Sequence, residues 1–308
     1  MQANTSETSE QVKYCIFCKA TKLKFAFIAK DKNRRGNDNI FTIKRCPKCG
    51  AGYTIPMLND RELAQYYPTE YYDVRDNLRI ESNKKSRRFR EIGIKRIHKY
   101  IKSGLLLDIG AGTGRLLKTA REFGYQVEGL EISNEAAEFG RNTWGLNITG
   151  GNFEYVTLQK GYYDVVTLIH VFEHLRDPIC AVQKLYDIIK PGGLIVIAVP
   201  NFDSIQSRLF RSHWFHLDVP RHLYHYPPAA LQSILQRVGF NIMEINFFSR
   251  EHNGVGILGS IMRLSPPGES FFHKVIRKTV GTLIANIISI IESWLKMGGT
   301  FEIYAIKE

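Results

Sequence analysis

The chain has 308 residues, of which 44% are hydrophobic, and its 42 Lys and Arg against 30 Asp and Glu give a net charge of +12. That length accommodates a full α/β core with a smaller appended module, and the hydrophobic content is ordinary for a soluble globular protein. The longest apolar stretch, Val280–Leu295, contains Asn286 and Glu292 and is too short to span a bilayer comfortably, and residues 1–11 lack the apolar segment of a secretory signal.

The excess positive charge is confined to the N-terminal third of the chain. Residues 1–104 hold 23 Lys and Arg against 11 Asp and Glu, whereas residues 105–308 hold 19 of each kind. This asymmetry predicts an anionic partner. The candidates are a phosphorylated small molecule, a nucleic acid and an acidic membrane surface. The alternative is a well-solvated module whose charges bind nothing.

Two cysteine pairs stand near the start of the chain, each with the spacing C-x₂-C and with 27 residues between the pairs. The four residues are Cys15, Cys18, Cys46 and Cys49. This spacing predicts a zinc ribbon over residues 12–58, in which four thiolates form a closed, structural site. The alternative is a loosely packed arm with free cysteines. Paired thiols fit a reducing compartment better than a disulfide scaffold, so we expect a cytoplasmic protein.

The segments on either side of this ribbon are simpler to interpret. Residues 1–11 are polar and are predicted to be a disordered tail, and residues 59–104 are predicted to be a basic, mostly helical connector. Nine Lys and Arg lie between positions 84 and 102, and apolar residues recur there at helical spacing, namely Phe89, Ile92, Ile97 and Ile101. We expect the isoleucines to pack on the following sheet while the charged side chains face water. The alternative is that these charged side chains face a bound phosphate.

Residues 105–308 show short apolar strands alternating with helices, which is typical of a parallel βαβ sheet. The predicted strands are Leu105–Ile109, Val127–Glu131, Val165–His170, Leu194–Pro200, Asn241–Phe248 and, as an edge strand, Phe301–Ile306. Two segments interrupt the alternation. Residues 201–226 are rich in histidine and aromatic residues, and residues 249–298 form a helical insertion.

A glycine-rich turn, Asp108-Ile-Gly-Ala-Gly-Thr-Gly114, follows the first of these strands and precedes a helix. Glycines let the backbone turn sharply and approach a ligand, and amides at a helix start can meet polar ligand atoms. A dinucleotide fingerprint needs a further glycine where Arg115 or Leu117 stands. Glu131 ends the next strand, where a carboxylate can accept hydrogen bonds from two ribose hydroxyls.

This set of residues resembles the class I S-adenosylmethionine-dependent methyltransferases, from Leu105 to about Phe240. The resemblance implies a Rossmann-like seven-stranded sheet with a reversed final hairpin. It also implies a cofactor site for S-adenosylmethionine. The residues that it assigns to that site are Asp108, Gly110, Gly112, Gly114, Glu131, Asn152, Phe153 and His170. Asn152 stands where many such enzymes have an aspartate for the adenine amino group, and Phe153 is equally consistent with a core position.

The segment Ile169-His-Val-Phe-Glu-His-Leu175 resembles the ubiquinone-type, methyltransferase-23-like branch of this class, and residues 201–226 resemble its lid over the acceptor site. The resemblance and the clustering of histidines here nominate His222 and His174 as general bases, because imidazole titrates near neutral pH. The alternative for His222 is a structural role, in which it stabilises the lid through hydrogen bonds. Arg221 is a candidate for neutralising an acceptor phosphate or carboxylate. His170, Glu173 and His174, at i, i+3 and i+4, are a weaker candidate for a divalent metal site.

The ribbon resembles those that precede methyltransferase domains of bacterial sugar and polysaccharide pathways, as does the stretch from Tyr66 to Tyr72. We therefore expect a small or lipid-linked anionic acceptor, such as a sugar nucleotide or glycan precursor. One rival is an RNA methyltransferase that docks through the basic ribbon, and another is a non-catalytic cofactor-binding scaffold. The apolar helix Phe271–Leu295 is expected to pack on its own domain or form a homodimer seam, or alternatively to make a peripheral membrane contact.

Overall fold

A computed structural model of the chain describes residues 12, 14–32, 39–67, 84–248, 250–265, 268 and 270–308. The tail predicted for residues 1–11 lies outside the described residues, as do most of the stretch between Tyr66 and Tyr72 and part of the predicted connector. The domain boundaries given above stay a prediction.

The described residues form eleven strands and nine α-helices. The strands are β1 (Lys24–Lys30), β2 (Ile40–Arg45), β3 (Gly52–Ile55), β4 (Leu105–Ile109), β5 (Gln126–Glu131), β6 (Asn147–Gly150), β7 (Tyr163–Ile169), β8 (Ile189–Pro200), β9 (Tyr224–His225), β10 (Phe240–Asn246) and β11 (Thr300–Lys307). The helices are α1 (Asp60–Ala64), α2 (Lys84–Tyr100), α3 (Arg115–Glu122), α4 (Asn134–Trp144), α5 (Pro178–Ile188), α6 (Ile205–Phe210), α7 (Pro228–Val238), α8 (Arg250–Met262) and α9 (Phe271–Trp294).

The described residues divide into two compact units, each built from three stretches of sequence. The ribbon unit comprises Met1–Pro68, Pro200–Ala230 and His252–Gly299. The sheet unit comprises Thr69–Val199, Leu231–Glu251 and Thr300–Glu308.

The sheet unit contains the seven-stranded sheet that the sequence predicts, in the order β10-β11-β8-β7-β4-β5-β6. Strands β4, β5, β6, β7 and β8 pair in parallel, and β10 and β11 form an antiparallel pair. The prediction that Phe301–Ile306 is an edge strand is wrong, because β11 lies between β10 and β8. Its side chains explain this position, since Phe301, Ile303 and Ala305 are fully buried, as an inner strand requires.

The helix α2 packs into the core of the sheet unit through one narrow face. Ile97 is buried as predicted, and Ile94 joins it in a cluster with Leu106, Leu117 and other apolar residues of the sheet unit. Ile92 is 40% exposed, so its predicted packing is wrong. The helical period explains the difference, because Ile94 and Ile97 are three residues apart and share a face that Ile92 does not.

The ribbon unit contains a four-stranded sheet in the order β1-β2-β3-β9. The predicted lid supplies its last strand, with Tyr224 opposite Tyr53 and His225 opposite Gly52. Residues of the same lid, Trp214, Leu217 and Val219, pack with apolar residues of β1 and β2 in one buried cluster. Much of the segment 201–226 is therefore core of the ribbon unit.

The helical insertion consists of α8 and α9, which pack against each other within the ribbon unit. Gly281 of α9 lies close to Leu258 and Ile261 of α8, and the Asn253 amide donates a hydrogen bond to the Ser293 hydroxyl at 3.3 Å. Among the described residues, no helix is both long enough and apolar enough to cross a membrane.

Candidate active site and cysteine cluster

The glycine turn joins β4 to α3 at the carboxyl edge of the parallel strands, where α/β proteins bind ligands. Gly110, Gly112 and Gly114 have φ values of 74°, 54° and 80°, which lie in the left-handed region that side chains with a Cβ disfavour. The amide of Gly110 donates to the Leu130 carbonyl of β5 at 2.7 Å, so the turn is tied to the neighbouring strand.

The three glycines differ in what surrounds them. A Cβ on Gly110 would lie 2.3 Å from a methyl of Val171, and a Cβ on Gly114 would lie 2.4 Å from a methyl of Leu146. A Cβ on Gly112 would meet nothing within 4 Å. Gly110 and Gly114 are therefore required for packing, whereas Gly112 borders open space.

The Glu131 carboxylate is held against this turn. One of its oxygens accepts a hydrogen bond from the Gly112 amide at 2.7 Å, and the other accepts one from the Ser133 amide at 2.8 Å. Ser133 caps α4 by accepting from the Ala136 amide. The end of β5 and the start of α4 thus orient one carboxylate toward the open side of the glycine turn.

Asp108 lies deeper than the sequence suggests. Its carboxyl group is buried and accepts a hydrogen bond from the Thr167 hydroxyl of β7 at 2.6 Å. Burial raises the pKa of Asp108 to about 7, against the opposing effect of the Thr167 hydrogen bond. Sequence reasoning missed Thr167, because its only signal is its position on a strand that is not adjacent in the sequence.

One polar group of the turn supports the presence of a ligand. The Thr113 hydroxyl is buried and, within the part of the chain that the structure describes, has no hydrogen-bond partner. Buried hydroxyls are normally paired, so this one is suited to a polar ligand atom or a bridging water. Together with the open space at Gly112, it makes the turn compatible with a nucleoside cofactor.

Asn152 and Phe153 follow β6, as the resemblance implies. The Asn152 side-chain oxygen accepts from the Glu154 amide at 2.9 Å, which fixes the orientation of the side-chain amide. The Phe153 ring is buried, and the Lys184 ammonium lies 4.8 Å from its centroid. The burial indicates a core position for Phe153, and contact of either residue with adenine stays a prediction.

His170, Glu173 and His174 lie at the end of β7, but not on one helical turn. His170 has a φ of 57°, and residues Phe172–His174 form a short 3₁₀ turn. The His170 Nδ1 lies 3.3 Å from the buried Glu173 carboxylate. A non-glycine residue held at positive φ at a strand end is a feature that clusters at functional sites.

His222 and Arg221 belong to the ribbon unit. The His222 ring Nδ1 lies 2.9 Å from the His216 carbonyl oxygen, which can only accept a hydrogen bond. In the neutral ring, Nδ1 therefore carries the proton and Nε2 the lone pair.

Arg221 is fully buried and donates hydrogen bonds to the carboxylates of Asp31 and Asp218. These bonds raise its pKa above the usual range, although burial acts in the opposite direction.

Arg221 is therefore not a group that meets an acceptor anion, and that interpretation is wrong. Its bidentate pairing with two carboxylates and its bond to the Tyr66 carbonyl at 3.0 Å saturate the guanidinium. The sequence could not show this pairing, because Asp31 is 190 residues away.

The four cysteines of the ribbon form one cluster. Their sulfur atoms all lie within 4.8 Å of one another, with Cys15–Cys49 and Cys18–Cys46 separations of 3.5 Å. Zn–S bonds of about 2.3 Å in a tetrahedron place sulfurs about 3.8 Å apart, so the cluster has the dimensions of a zinc site.

The two cysteine pairs have the same backbone geometry. In each, the first cysteine carbonyl accepts from the amide four residues on, and the first cysteine amide donates to an alanine carbonyl five residues on. The residues that make the turns are Lys19 and Gly50, both at positive φ. Such repeated knuckles orient four thiol groups toward one point, as a tetrahedral metal requires.

A tyrosine supports the cluster from β3. The Tyr53 hydroxyl donates to the Cys15 sulfur at 3.0 Å and accepts from the Ile16 amide at 3.1 Å. Hydrogen bonds from Cys49 and Tyr53 lower the pKa of Cys15 to about 4, although burial opposes them. Phe17 of the first pair packs on Tyr53 and on Tyr224 of β9, at centroid distances of 5.9 and 5.6 Å.

Comparison with known proteins supports the interpretation of the sheet unit. The Methyltransf_23 family, a methyltransferase domain, matches residues 49–245. The ubiquinone biosynthesis O-methyltransferase of Shewanella sp. (strain ANA-3) is 34% identical over 104 residues, which are 31% of this chain and 43% of that protein. The enzyme of the same name from Nitrosospira multiformis is 26% identical over 155 residues, 46% of this chain and 64% of that protein. This chain thus spans about half the length of such relatives.

Solved structures support the fold alone. A solved complex that contains the Haloferax volcanii Trm112 methyltransferase activator includes a chain that is 15% identical, with a TM-score of 0.52 over 77% of this chain and 97% of that one. An N-methyltransferase from Haemonchus contortus, solved with phosphomonomethylethanolamine and S-adenosylhomocysteine, is 18% identical, with a TM-score of 0.50 over 70% of this chain and 52% of that one.

Proposed function

The chain belongs to the Methyltransf_23 family and carries a class I S-adenosylmethionine-dependent methyltransferase domain, and on that premise we propose the acceptor that it methylates. The acceptor is a hydroxyl group of a small or lipid-linked anionic molecule, such as a sugar nucleotide or a glycan precursor. The observation that carries the assignment of the cofactor site is the Glu131 carboxylate bound to the Gly112 amide beside open space.

The residues that hold the cofactor in this proposal all belong to the sheet unit. Gly112 borders the open side of the turn, the buried Thr113 hydroxyl follows it, and Glu131 accepts from ribose hydroxyls. His170, Asn152 and Asp108 complete the set. Asp108 acts through the turn, because its buried carboxyl group is bonded to Thr167. S-adenosylmethionine supplies a methyl group that is already activated on sulfur, so positioning of the acceptor provides most of the rate.

A hydroxyl acceptor must lose a proton, and the two candidate bases are histidines. His222 presents Nε2 as the basic nitrogen, because Nδ1 is bonded to the His216 carbonyl. His174 follows β7, at the edge where parallel strands end. The O-methyltransferases among the curated relatives support oxygen as the methylated atom.

The charge distribution supports an anionic acceptor. Residues 1–104 carry an excess of 12 positive charges, since they hold 23 Lys and Arg against 11 Asp and Glu. Clustered positive charge raises the local concentration of anionic ligands and their rate of association. In this proposal the four cysteines bind one zinc ion, which stabilises the ribbon unit and takes no part in methyl transfer.

The proposal is tested by incubating the full chain with tritiated-methyl S-adenosylmethionine and separate fractions of sugar nucleotides, lipids and RNA. We expect label in sugar-nucleotide or lipid material, released by treatments that cleave methyl ethers. Label confined to RNA would overturn the acceptor class. Cofactor binding without label in any fraction would indicate a scaffold rather than an enzyme.

A further inference from the structure

Large apolar side chains of α9, among those that the structure describes, are exposed to solvent. Six residues spaced three or four positions apart are each at least 44% exposed. They are Ile276, Val280, Leu283, Ile287, Ile290 and Trp294. Exposed apolar residues are ordinary when scattered, but a continuous strip marks an interaction surface.

The opposite face of α9 holds the helix to its own unit. That face consists of small and polar residues, with Gly281 against α8 and with Ala285, Ser289 and Glu292 buried. Glu292 is fully buried and accepts from the Gln206 amide at 2.6 Å. The helix is thus already packed on its inner side, so the apolar strip is an outer surface that nothing in the described residues covers.

The strip is wider than a coiled-coil seam. Ile284, Ile291 and Leu295 extend it on one side, with exposed fractions of 40%, 50% and 59%. At 100° per residue, the apolar arc covers about 140° of the helix circumference. A broad apolar face on a helix that cannot span a bilayer is typical of helices that lie in a membrane interface.

The net positive charge of the segment that contains the strip favours an anionic surface. The segment 270–297 contains Lys274, Arg277, Lys278 and Lys296 and one acidic residue, Glu292, which is buried. Trp294, 82% exposed at the end of the helix, is a residue type enriched at membrane interfaces.

We propose that α9 docks on the surface of an anionic lipid bilayer, with the strip from Ile276 to Trp294 buried at the level of the headgroups and the net positive charge of the segment 270–297 attracting the anionic headgroups. The helix then lies in the plane of the interface. Lipid presentation of a substrate is not required for this contact, so the inference stands apart from the identity of the methyl acceptor.

The test is sedimentation of the full chain with vesicles of phosphatidylcholine, with and without phosphatidylglycerol. We expect binding to the anionic vesicles at least about tenfold tighter than to the neutral ones. The double variant Leu283→Glu/Ile287→Glu should lose this binding. A matched control, Phe25→Glu/Ile28→Glu, makes the same charge change at side chains of β1 that are 65% and 54% exposed, and it should keep binding.

Two further measurements distinguish a loss of vesicle binding from a loss of folding. Thermal melting establishes that each variant is folded, and the blue shift of tryptophan emission on vesicle binding should disappear in Trp294→Phe. Absence of binding by the unmodified chain, or binding that Leu283→Glu/Ile287→Glu leaves unchanged, would overturn the proposal. A dimer that this variant dissociates, without vesicle binding, would show that a second copy covers the strip. Calorimetry of S-adenosylmethionine on the same samples reports the proposed function separately.

Discussion

The Glu131 carboxylate accepts a hydrogen bond from the amide of Gly112 at 2.7 Å, and its second oxygen accepts from the amide of Ser133 at 2.8 Å. This relationship joins the ends of two neighbouring parallel strands, because Gly112 follows β4 and Glu131 ends β5. The residue proposed to hold the ribose is thereby hydrogen-bonded to the glycine turn.

We expect Glu131→Gln to weaken binding of S-adenosylmethionine by about tenfold or more, because an amide NH₂ would face a backbone N–H and one acceptor oxygen would be lost. Calorimetric titration with the cofactor measures the effect. Glu135→Gln, at an exposed position four residues on, is the matched control and should bind like the unmodified chain. Equal affinities for the two variants would remove Glu131 from the site.

The candidate bases are tested by His174→Gln and His222→Gln. Each should lower kcat by about 10²–10⁴-fold if it accepts the hydroxyl proton, while the affinity for the cofactor stays unchanged. His98→Gln, on α2, is the control. A histidine whose replacement changes the melting temperature but leaves kcat intact has a structural role instead.

Zinc binding is tested by Cys46→Ser. Loss of one of four thiolates should release the metal and loosen the ribbon unit, because metal binding free energy contributes directly to the folding of such modules. Zinc content by atomic absorption and proteolysis of the ribbon unit report the two effects. Cys180→Ser, which changes an exposed cysteine outside the cluster, should retain the metal. A zinc-free unmodified chain would contradict the assignment.

The buried Glu292 predicts a pH dependence of stability. Burial raises the pKa of its carboxyl group to about 7 from an ordinary 4.5, so the folded chain binds this proton more tightly than the unfolded chain does. Its contribution to stability is fully present below about pH 4.5 and is lost as the pH rises through about 7. The difference between the two pKa values corresponds to about 3 kcal/mol of the free energy of unfolding.

Glu292→Gln should remove this dependence, because the side chain stays neutral and keeps an oxygen for the Gln206 and Gly299 hydrogen bonds. The melting temperatures of the variant and the unmodified chain should diverge between about pH 5 and pH 8, in favour of the variant at the higher pH. The buried Asp108 titrates in both proteins, so the difference between their curves isolates Glu292. Parallel curves would contradict this prediction.

Local patterns predicted the fold and the local structure around several candidate site residues, because these features depend on interactions between residues close in the sequence. The strand β4, the glycine turn, Glu131 and the two cysteine knuckles each depend on neighbours in the sequence, and the structure brings the four cysteines together as the spacing predicts. The amphipathic period likewise placed Ile97 in the core.

Contacts between distant residues were beyond such patterns. Arg221 is paired with Asp31, which lies 190 residues away in the sequence, and Asp108 accepts a hydrogen bond from Thr167 of a strand that is not next in sequence. The inner position of β11 depends on the order of the strands, which short-range periodicity does not encode. Catalytic roles for His174 and His222 stay predictions, because they depend on where the acceptor binds.

The most direct test of the account is calorimetric binding of S-adenosylmethionine to the unmodified chain and to Gly112→Arg. Since Gly112 borders open space, the arginine should fill the cofactor position and abolish binding, with a melting temperature close to that of the unmodified chain. Gly112→Ala separates the effect of backbone strain at φ 54° from that of filling the space. Unchanged affinity in Gly112→Arg would contradict the assignment of the cofactor site.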